Sequence, residues 1–171
     1  MLDALSTLPD AADCWIYVAD RPLSFEEQQA LSDMFSTFET NWSSHGRMVQ
    51  GASAVVDDRV LIVAAYVDQG DISGCGIDKS LHLLDQAAVK MGFAWASGLH
   101  IVFRGQSGAL EVVSRSSFKQ SASDGLVTPE TPVIDLSIRS LGTLRSFGLE
   151  KPASESWHAR LLPKTVEISQ G

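Results

Sequence analysis

The sequence predicts a mixed α/β fold, namely a ferredoxin-like β-α-β-β-α-β sandwich over residues 13–106 with a C-terminal α/β extension over residues 107–162. Four short segments rich in β-branched and aromatic residues predict strands, and two longer segments with apolar residues at helical spacing predict helices. Their order along the chain is that of a split βαβ sandwich. Residues 1–12 are expected to form a loose leader and residues 163–171 a frayed tail.

The first strand is predicted at residues 14–19, where CWIYVA combines aromatic and β-branched residues. Ser24 and Glu27 then have the spacing of a capping box, which marks the start of a helix. We expect His45 and Gly46 at the end of this helix. Its apolar face would carry Leu31, Met34, Phe35, Phe38 and Trp42.

Two strands are predicted next, at residues 47–56 and 59–67, with Asp57-Asp58 as a tight turn between them. The second of these strands is apolar on both faces over VLIVAAYV, as a central strand should be. A second helix ends at Gly92 and presents one apolar face to the sheet, with Ile77, Leu81, Leu84, Ala88 and Met91.

The fourth strand of the core is predicted at residues 99–104. In the extension, ALEVVS predicts a strand, and residues 114–123 predict a short helix. Residues 125–136 are rich in turn-forming residues, and residues 137–147 predict a further helix.

Composition and charge restrict the classes of partner. The 171-residue chain is 44% hydrophobic, which is typical of a globular domain, and carries a net charge of −8. An acidic chain without a Lys/Arg cluster is a poor partner for nucleic acid or for an anionic membrane surface. The N-terminus lacks the features of a secretory signal, and two cysteines give neither a disulfide framework nor a CxxC motif. We therefore expect a cytoplasmic protein.

The predicted topology brings two distant stretches to one edge of the sheet. In a split βαβ sandwich the first helix ends where the third strand delivers the chain into the second helix. The stretch WSSHG, which contains His45, should therefore lie beside SGCGIDKS, which contains Cys75. Asp20 and Arg21 should fall at the opposite edge.

This edge is the candidate site. Cys75 would lie at a helix N-terminus, where the helix dipole, free backbone N–H groups and Lys79 would stabilise a thiolate. His45 would be its base or partner, so that these two residues are the candidate catalytic pair. The alternatives are that Cys75 is a small residue packed in a turn and that His45 caps helix carbonyls. The candidate ligand-binding residues are Ser44, Gly74, Gly76, Lys79, Ser80 and, from the distant ESWHARLL segment, His158.

A metal at this edge is a further alternative, because thiolate and imidazole groups suit zinc. Cys75, His45, His158 and His82 are the available ligands, but no HxxxH or CxxC spacing is present, and we assign no metal site. No motif identifies a cofactor. His100, which alternates with apolar residues on a predicted strand, is interpreted as structural or solvent-facing.

The segment GDISGCGIDKS superficially resembles a phosphate-binding loop. That motif requires glycine directly before its lysine so that the backbone can wrap the phosphate. Here Asp78 occupies the position and would bring a negative charge and a side chain into the cradle. No acidic Walker B strand and no ABC signature accompany it, so the sequence argues against an ABC ATPase.

Five stretches together resemble a bacterial family of uncharacterised proteins, whose members are sometimes labelled "ABC transporter ATPase". The resemblance covers most of residues 14–162 and brings no established reaction with it. The stretches are WIYVADRPLS, WSSHG, DRVLIVAAYVD, SGCGIDKSLH and SWHARLL.

Two functional hypotheses follow from the sequence. The first is a small polar or anion-binding pocket at the edge that holds His45 and Cys75, with the thiol as a reacting group. The second is a non-enzymatic interaction module or homodimer without a catalytic site, because a ferredoxin-like sheet often presents an open face to a partner.

Overall fold

The structure, a computed structural model, describes residues 3–164. The chain forms two compact units, Met1–Ser97 with Leu136–Gly148 and Gly98–Asp135 with Leu149–Gly171. The first unit therefore ends nine residues before the boundary expected at residue 106, and it also takes in a later segment of the chain. Most of the predicted tail, residues 165–171, lies outside the described residues.

Nine strands and four α-helices are described between residues 3 and 164. All of the helices except α3 and all of the strands up to β5 belong to the first unit. In chain order the elements are β1 (Asp13–Val18), α1 (Phe25–Glu39), β2 (Ser43–Ser44), β3 (Arg47–Met48), β4 (Gln50–Val56), β5 (Val60–Tyr66), α2 (Gly74–Met91), β6 (His100–Arg104), β7 (Leu110–Ser114), α3 (Arg115–Ser123), β8 (Pro132–Ile134), α4 (Leu141–Phe147) and β9 (Glu150–Pro152).

The sheet of the first unit has the strand order β1-β5-β4, with both pairs antiparallel. The third predicted strand therefore lies between the first two, as expected. The hairpin between β4 and β5 turns at Asp57 and Asp58, which have φ values of 52° and 51°. Positive φ at two successive positions is the backbone of a tight hairpin turn, so this prediction is confirmed.

The fourth predicted strand does not join this sheet. β6 pairs instead with β7 and β8 in a second sheet of order β7-β6-β8-β9, so the four-stranded ferredoxin-like sheet is wrong. The outer edge of β1 is already taken within the first unit. The N–H of Cys14 donates to the carbonyl of Arg139 at 2.9 Å, and the N–H of Ala96 donates to the carbonyl of Val18 at 2.7 Å.

Helix α1 begins where the sequence indicates. The Ser24 hydroxyl accepts from the N–H of Glu27 and the Glu27 carboxylate accepts from the N–H of Ser24, which completes the capping box. The helix ends at Glu39, three residues before Trp42. Two shorter-range turns follow, and the Trp42 ring still packs on Phe35 and Phe38. The apolar spacing predicted the right face but extended the helix too far.

Helix α2 is capped by the Ser73 hydroxyl at its start and by Gly92 at its end, where φ is 70°. Its buried face is rotated from the expected one, since Ile77 and Leu81 are only half-buried. Small residues at most of the buried positions allow α2 to pack closely against the rest of the first unit on that side. The buried residues are Gly76, Ser80, Leu84, Ala87 and Ala88.

Arg21 joins helices α1 and α2 at the edge of the sheet that is far from Cys75. The Arg21 guanidinium donates to the Glu27 carboxylate at 2.7 Å and to the carbonyl of Met91 at 2.6 Å. The hydrogen bond from Arg21 lowers the pKa of Glu27 to about 2. Because α2 has 18 residues, its two ends are about 27 Å apart. Arg21 therefore lies at the opposite edge from Cys75, as predicted.

The N-terminal segment covers the face of the β1-β5-β4 sheet opposite to α1 and α2, so the expectation of a loose leader is wrong. Leu5, Leu8 and Ala12 are buried. Arg145, on α4, donates to the carbonyls of Leu5 and Leu8 at 2.9 Å and pairs with Asp10. The segment is ordered because the second face of β5 is also apolar and needs a cover.

The second unit packs α3 against its own four-stranded sheet. The core includes Phe103 and Phe118, whose ring centroids are 5.4 Å apart. The predicted strand at ALEVVS forms as β7, and the Ser114 hydroxyl caps α3 as the sequence indicates. The helix expected at residues 137–147 is shorter, because it begins only at Leu141, and it belongs to the first unit.

One carboxylate in the first unit is poorly accommodated. Oε2 of Glu39 is buried without a hydrogen-bond partner, at the C-terminal end of α1. Burial raises the pKa of Glu39 above its ordinary value. A negative charge at a helix C-terminus is also opposed by the helix dipole. Glu39 therefore destabilises the folded state when it is ionised.

We expect Arg145→Ala to lower the free energy of unfolding by about 1.5–3 kcal/mol, because two part-buried carbonyls lose a charged donor. The control is Asp10→Asn, which removes only an exposed ion pair and should cost less than about 1 kcal/mol. Urea unfolding measures both. Equal costs would contradict the assignment of the stabilisation to the two carbonyls.

We expect Glu39→Gln to raise the free energy of unfolding at pH 7 by up to about 1 kcal/mol. The raised pKa means that the wild-type protein loses stability as the pH rises from the ordinary pKa of a glutamate through the higher pKa of Glu39 in the folded state. The variant has no carboxyl group at this position and therefore does not lose this stability. The measurement is urea unfolding at pH 4 and pH 7.

The matched control is Glu26→Gln, at the other end of α1. Hydrogen bonds from its own backbone N–H and from Ser24 lower the pKa of Glu26, so that the stability it contributes is present at neutral pH and lost in acid. This variant should therefore be destabilised at pH 7. The same sign for both variants would refute the argument.

Candidate functional site

The structure brings the WSSHG and SGCGIDKS stretches together. The β2–β3 hairpin, residues 43–48, lies against the first turn of α2. The Ser44 hydroxyl accepts from the N–H of Ser73 at 2.7 Å and donates to the Ser73 hydroxyl at 2.9 Å. That hydroxyl in turn accepts from the N–H of Gly76 at 3.1 Å. The topology predicted this meeting, but not the role of Ser73, whose position directly before the helix is the typical signal of an N-cap.

A second hydrogen bond stabilises the same contact between the hairpin segment and α2. The indole Nε1 of Trp42, fully buried, donates to the carbonyl of Gly76 at 2.8 Å. A Cβ at Gly76 would come within 2.9 Å of Ile72 and 3.3 Å of Ser44, so only glycine permits this approach. Both backbone polar groups of Gly76 are thus occupied, and Gly76 offers none to a ligand.

His45 occupies the turn of the β2–β3 hairpin and not a helix end. His45 and Gly46 have φ values of 49° and 75°, as the two central residues of a tight hairpin turn must. The imidazole is exposed. The prediction that His45 lies at the end of α1 is therefore wrong, because the helix has already ended at Glu39, and the alternative that His45 caps the helix carbonyls falls with it.

Cys75 and Lys79 are exposed at the start of α2. The Lys79 ammonium reaches back over the hairpin and donates to the carbonyl of Ser43 at 3.4 Å. Gly74, one residue before Cys75, faces open space. Both cysteines are free, but Cys14 is buried, and burial raises its pKa to about 11. Cys75 is therefore the accessible thiol.

Ser80 and Ser44, two of the candidate ligand-binding residues, are buried. The Ser80 side chain is 1% exposed, and its hydroxyl donates to the carbonyl of Ile77 at 2.7 Å. The Ser44 hydroxyl is occupied by Ser73, as described above. These hydroxyls stabilise the local structure, and neither faces solvent.

His158 is a core residue of the second unit. Its ring stacks on Trp157 with centroids 3.9 Å apart and contacts Phe118 at 5.7 Å. Its Nδ1 forms a hydrogen bond of 2.7 Å with the Ser156 hydroxyl. Burial lowers the pKa of His158 to about 4, so the imidazole is neutral at pH 7. At 3% exposure the His158 side chain is buried.

The second unit contains a surface cleft that the sequence did not indicate. It lies beside the turn between β6 and β7. Gln106, Ser107 and Leu126 line it, with Glu111 as its ionisable residue. No motif marks these residues, because they come together only when α3 packs on the hairpin.

His82 is exposed on α2. The His82 imidazole forms a hydrogen bond of 2.9 Å with Gln86 one turn later. Across residues 3–164, no three His, Cys, Asp or Glu side chains are grouped as metal ligands would be.

Comparison with protein-family models, with curated proteins and with solved structures finds no match. Within the part of the chain that the structure describes, no helix has the length and apolarity needed to cross a membrane. The function must therefore be argued from the chain itself.

We expect Ser44→Ala to lower the free energy of unfolding by about 1–3 kcal/mol, because the N–H of Ser73 loses its acceptor at a part-buried position. Ser43→Ala, on the neighbouring residue of the same strand, should change it by less than about 0.5 kcal/mol. Amide hydrogen exchange should also become faster in residues 43–48 of the Ser44 variant. Unchanged exchange there would show that the hairpin is held by other contacts.

Proposed function

We propose that the protein binds a small anionic or polar ligand at the exposed start of α2 and that Cys75 is the reacting thiol. The observation that carries the proposal is the hydrogen-bonded contact between the β2–β3 hairpin and the first turn of α2. It holds His45 and Cys75, both exposed, on adjacent segments. The three-stranded sheet β1-β5-β4 with α1 and α2 supports the proposal, because it delivers both segments to one edge.

The ligand contacts are a smaller set than the sequence suggested. Among residues 3–164, no acceptor is bound by the N–H groups of Gly74 and Cys75, which lie in the first turn of α2. The positive end of the helix dipole favours an anion there, and Lys79 adds a positive charge one turn later, against the single opposing charge of the exposed Asp78. We therefore assign binding to Gly74, Cys75, Lys79 and His45.

A nucleotide is a poorer candidate for this site. In a phosphate-binding loop the hydroxyl that follows the lysine binds magnesium. The corresponding hydroxyl here, that of Ser80, is buried and bonded to a carbonyl of its own helix. This geometry and the side chain of Asp78 support the inference that the protein is not an ABC ATPase.

The reaction that the site favours is exchange with a small anionic disulfide. His45 accepts the thiol proton, and the Cys75 thiolate attacks one sulfur of the ligand. A mixed disulfide forms, and the other half of the ligand leaves as a thiolate that takes up the proton. The exchange needs no separate oxidant. We place this reaction in the reducing cytoplasm, where free thiols persist.

The test uses the full chain with Cys14→Ser, so that Cys75 is the reacting cysteine. Three disulfides are compared by intact mass spectrometry: anionic glutathione disulfide, neutral 2-hydroxyethyl disulfide and cationic cystamine. We expect Lys79→Gln to slow the reaction with the anionic disulfide by about three- to fivefold and to leave the neutral one unchanged.

The matched control is Lys90→Gln, which removes an exposed lysine from the other end of α2 and should have no effect. His45→Ala should slow the reaction with all three disulfides. The proposal fails if Cys75 reacts no faster than free glutathione and shows no preference for the anionic disulfide.

A further inference from the structure

We propose that the surface cleft of the second unit binds a small organic cation, namely a primary ammonium group carried on a short apolar chain. The cleft lies beside the turn between β6 and β7, and Glu111 is its ionisable residue. Cys75 and His45 belong to the first unit, so this proposal concerns a second site and does not depend on the thiol chemistry.

The Glu111 carboxylate is not neutralised within the protein. Among residues 3–164, its oxygens take part in no hydrogen bond and no ion pair. The guanidinium of Arg104, on the neighbouring strand, pairs instead with Glu150 and donates to the carbonyl of Gly108 at 2.8 Å. Since successive residues of a strand point to opposite faces, Arg104 lies on the other face from Glu111, which is in register with Phe103. The charge of Glu111 is therefore available to a cation from solution.

A glycine makes room for this carboxylate at the cleft. The Glu111 side chain extends over Gly105, which also lines the cleft. A Cβ at Gly105 would overlap Oε1 of Glu111 and would lie 2.9 Å from its Cδ. Any side chain at residue 105 would therefore displace the carboxylate from its present position.

The last turn of α3 is a second feature that favours a cation. Ser121 lines the cleft, and α3 ends two residues later at Ser123. The C-terminal end of a helix carries a partial negative charge, which attracts cations and repels anions. Among the described residues that line the cleft, none is basic. Nothing in its wall therefore offsets the charge of Glu111 or of the helix end.

The rest of the wall suits an ammonium group on an apolar chain better than a metal ion. The Leu126 side chain is 52% exposed, so an alkyl chain packed on it removes apolar surface from water. The side chains of Gln106 and Ser121, which form no hydrogen bond among residues 3–164, offer oxygen acceptors to the N–H groups of an ammonium. No three metal-ligating side chains are grouped in that part of the chain.

The test is a titration of the full chain, labelled with ¹⁵N, with three probes of similar size: n-butylammonium, 1-butanol and butyrate. We expect butylammonium to shift the amide signals of Gln106, Ser107 and Leu126 until the site is saturated. Butanol lacks the charge and should bind at least about fivefold more weakly, and butyrate should not bind.

Three variants separate the charge of Glu111 from its position. Glu111→Gln should weaken the binding of butylammonium by about fivefold or more. Gly105→Ala keeps the charge but displaces the carboxylate, and it should also weaken binding. The matched control is Glu155→Gln, which removes an exposed glutamate of the same unit that does not line the cleft and should have no effect.

The comparison of the three probes uses the wild-type protein, so the proposal remains testable if a variant fails to fold. Equal binding of butylammonium and butanol overturns the proposal, because an apolar surface alone would give that result. Equal affinity of the Glu111→Gln and Glu155→Gln variants for butylammonium also overturns it. The Glu111→Gln variant should react at Cys75 at the wild-type rate, so the two proposals can fail separately.

Discussion

The first unit is organised around a strand that is apolar on both faces. β5 lies between β1 and β4, and six of its seven residues are buried. One face of such a strand can be covered by α1 and α2, but the other face needs a second layer. The N-terminal segment and α4 supply that layer, held to each other by Arg145. This requirement explains why the N-terminal segment is ordered although its sequence favours neither a long helix nor a strand. It also explains why residues 136–148 return to the first unit.

The contact between the hairpin and α2 explains which polar residues remain available for chemistry. Ser44, Ser73 and the backbone of Gly76 satisfy one another at buried or half-buried positions, as buried polar groups must. Polar residues that look like ligand contacts in the sequence are thus used in holding the β2–β3 hairpin against α2. What remains at the surface is a thiol, an imidazole and an ammonium group on two segments that cannot move apart without breaking these bonds.

The sequence predicted where the two stretches meet better than it predicted which of their residues are exposed. The order of strands and helices was sufficient to bring His45 and Cys75 to one edge, because that meeting follows from topology alone. The burial of Ser80 could not be predicted from helical spacing, since the apolar residues pointed to a face with Ile77 and Leu81, whereas α2 buries Gly76 and Ser80. His158 could not be assigned either, because a histidine between apolar residues has the same pattern at a site and in a core.

Local interactions are what the sequence by itself determined. The capping box at Ser24, the left-handed stop at Gly92 and the turn at Asp57-Asp58 depend on hydrogen bonds and φ angles within a few residues, so the sequence specifies them directly. Only the tertiary structure decided that β6 joins a second sheet and that the N-terminal segment is part of a core. These outcomes depend on competition between distant segments for one edge of β1 and one face of β5, and that competition leaves no periodic signal in the chain.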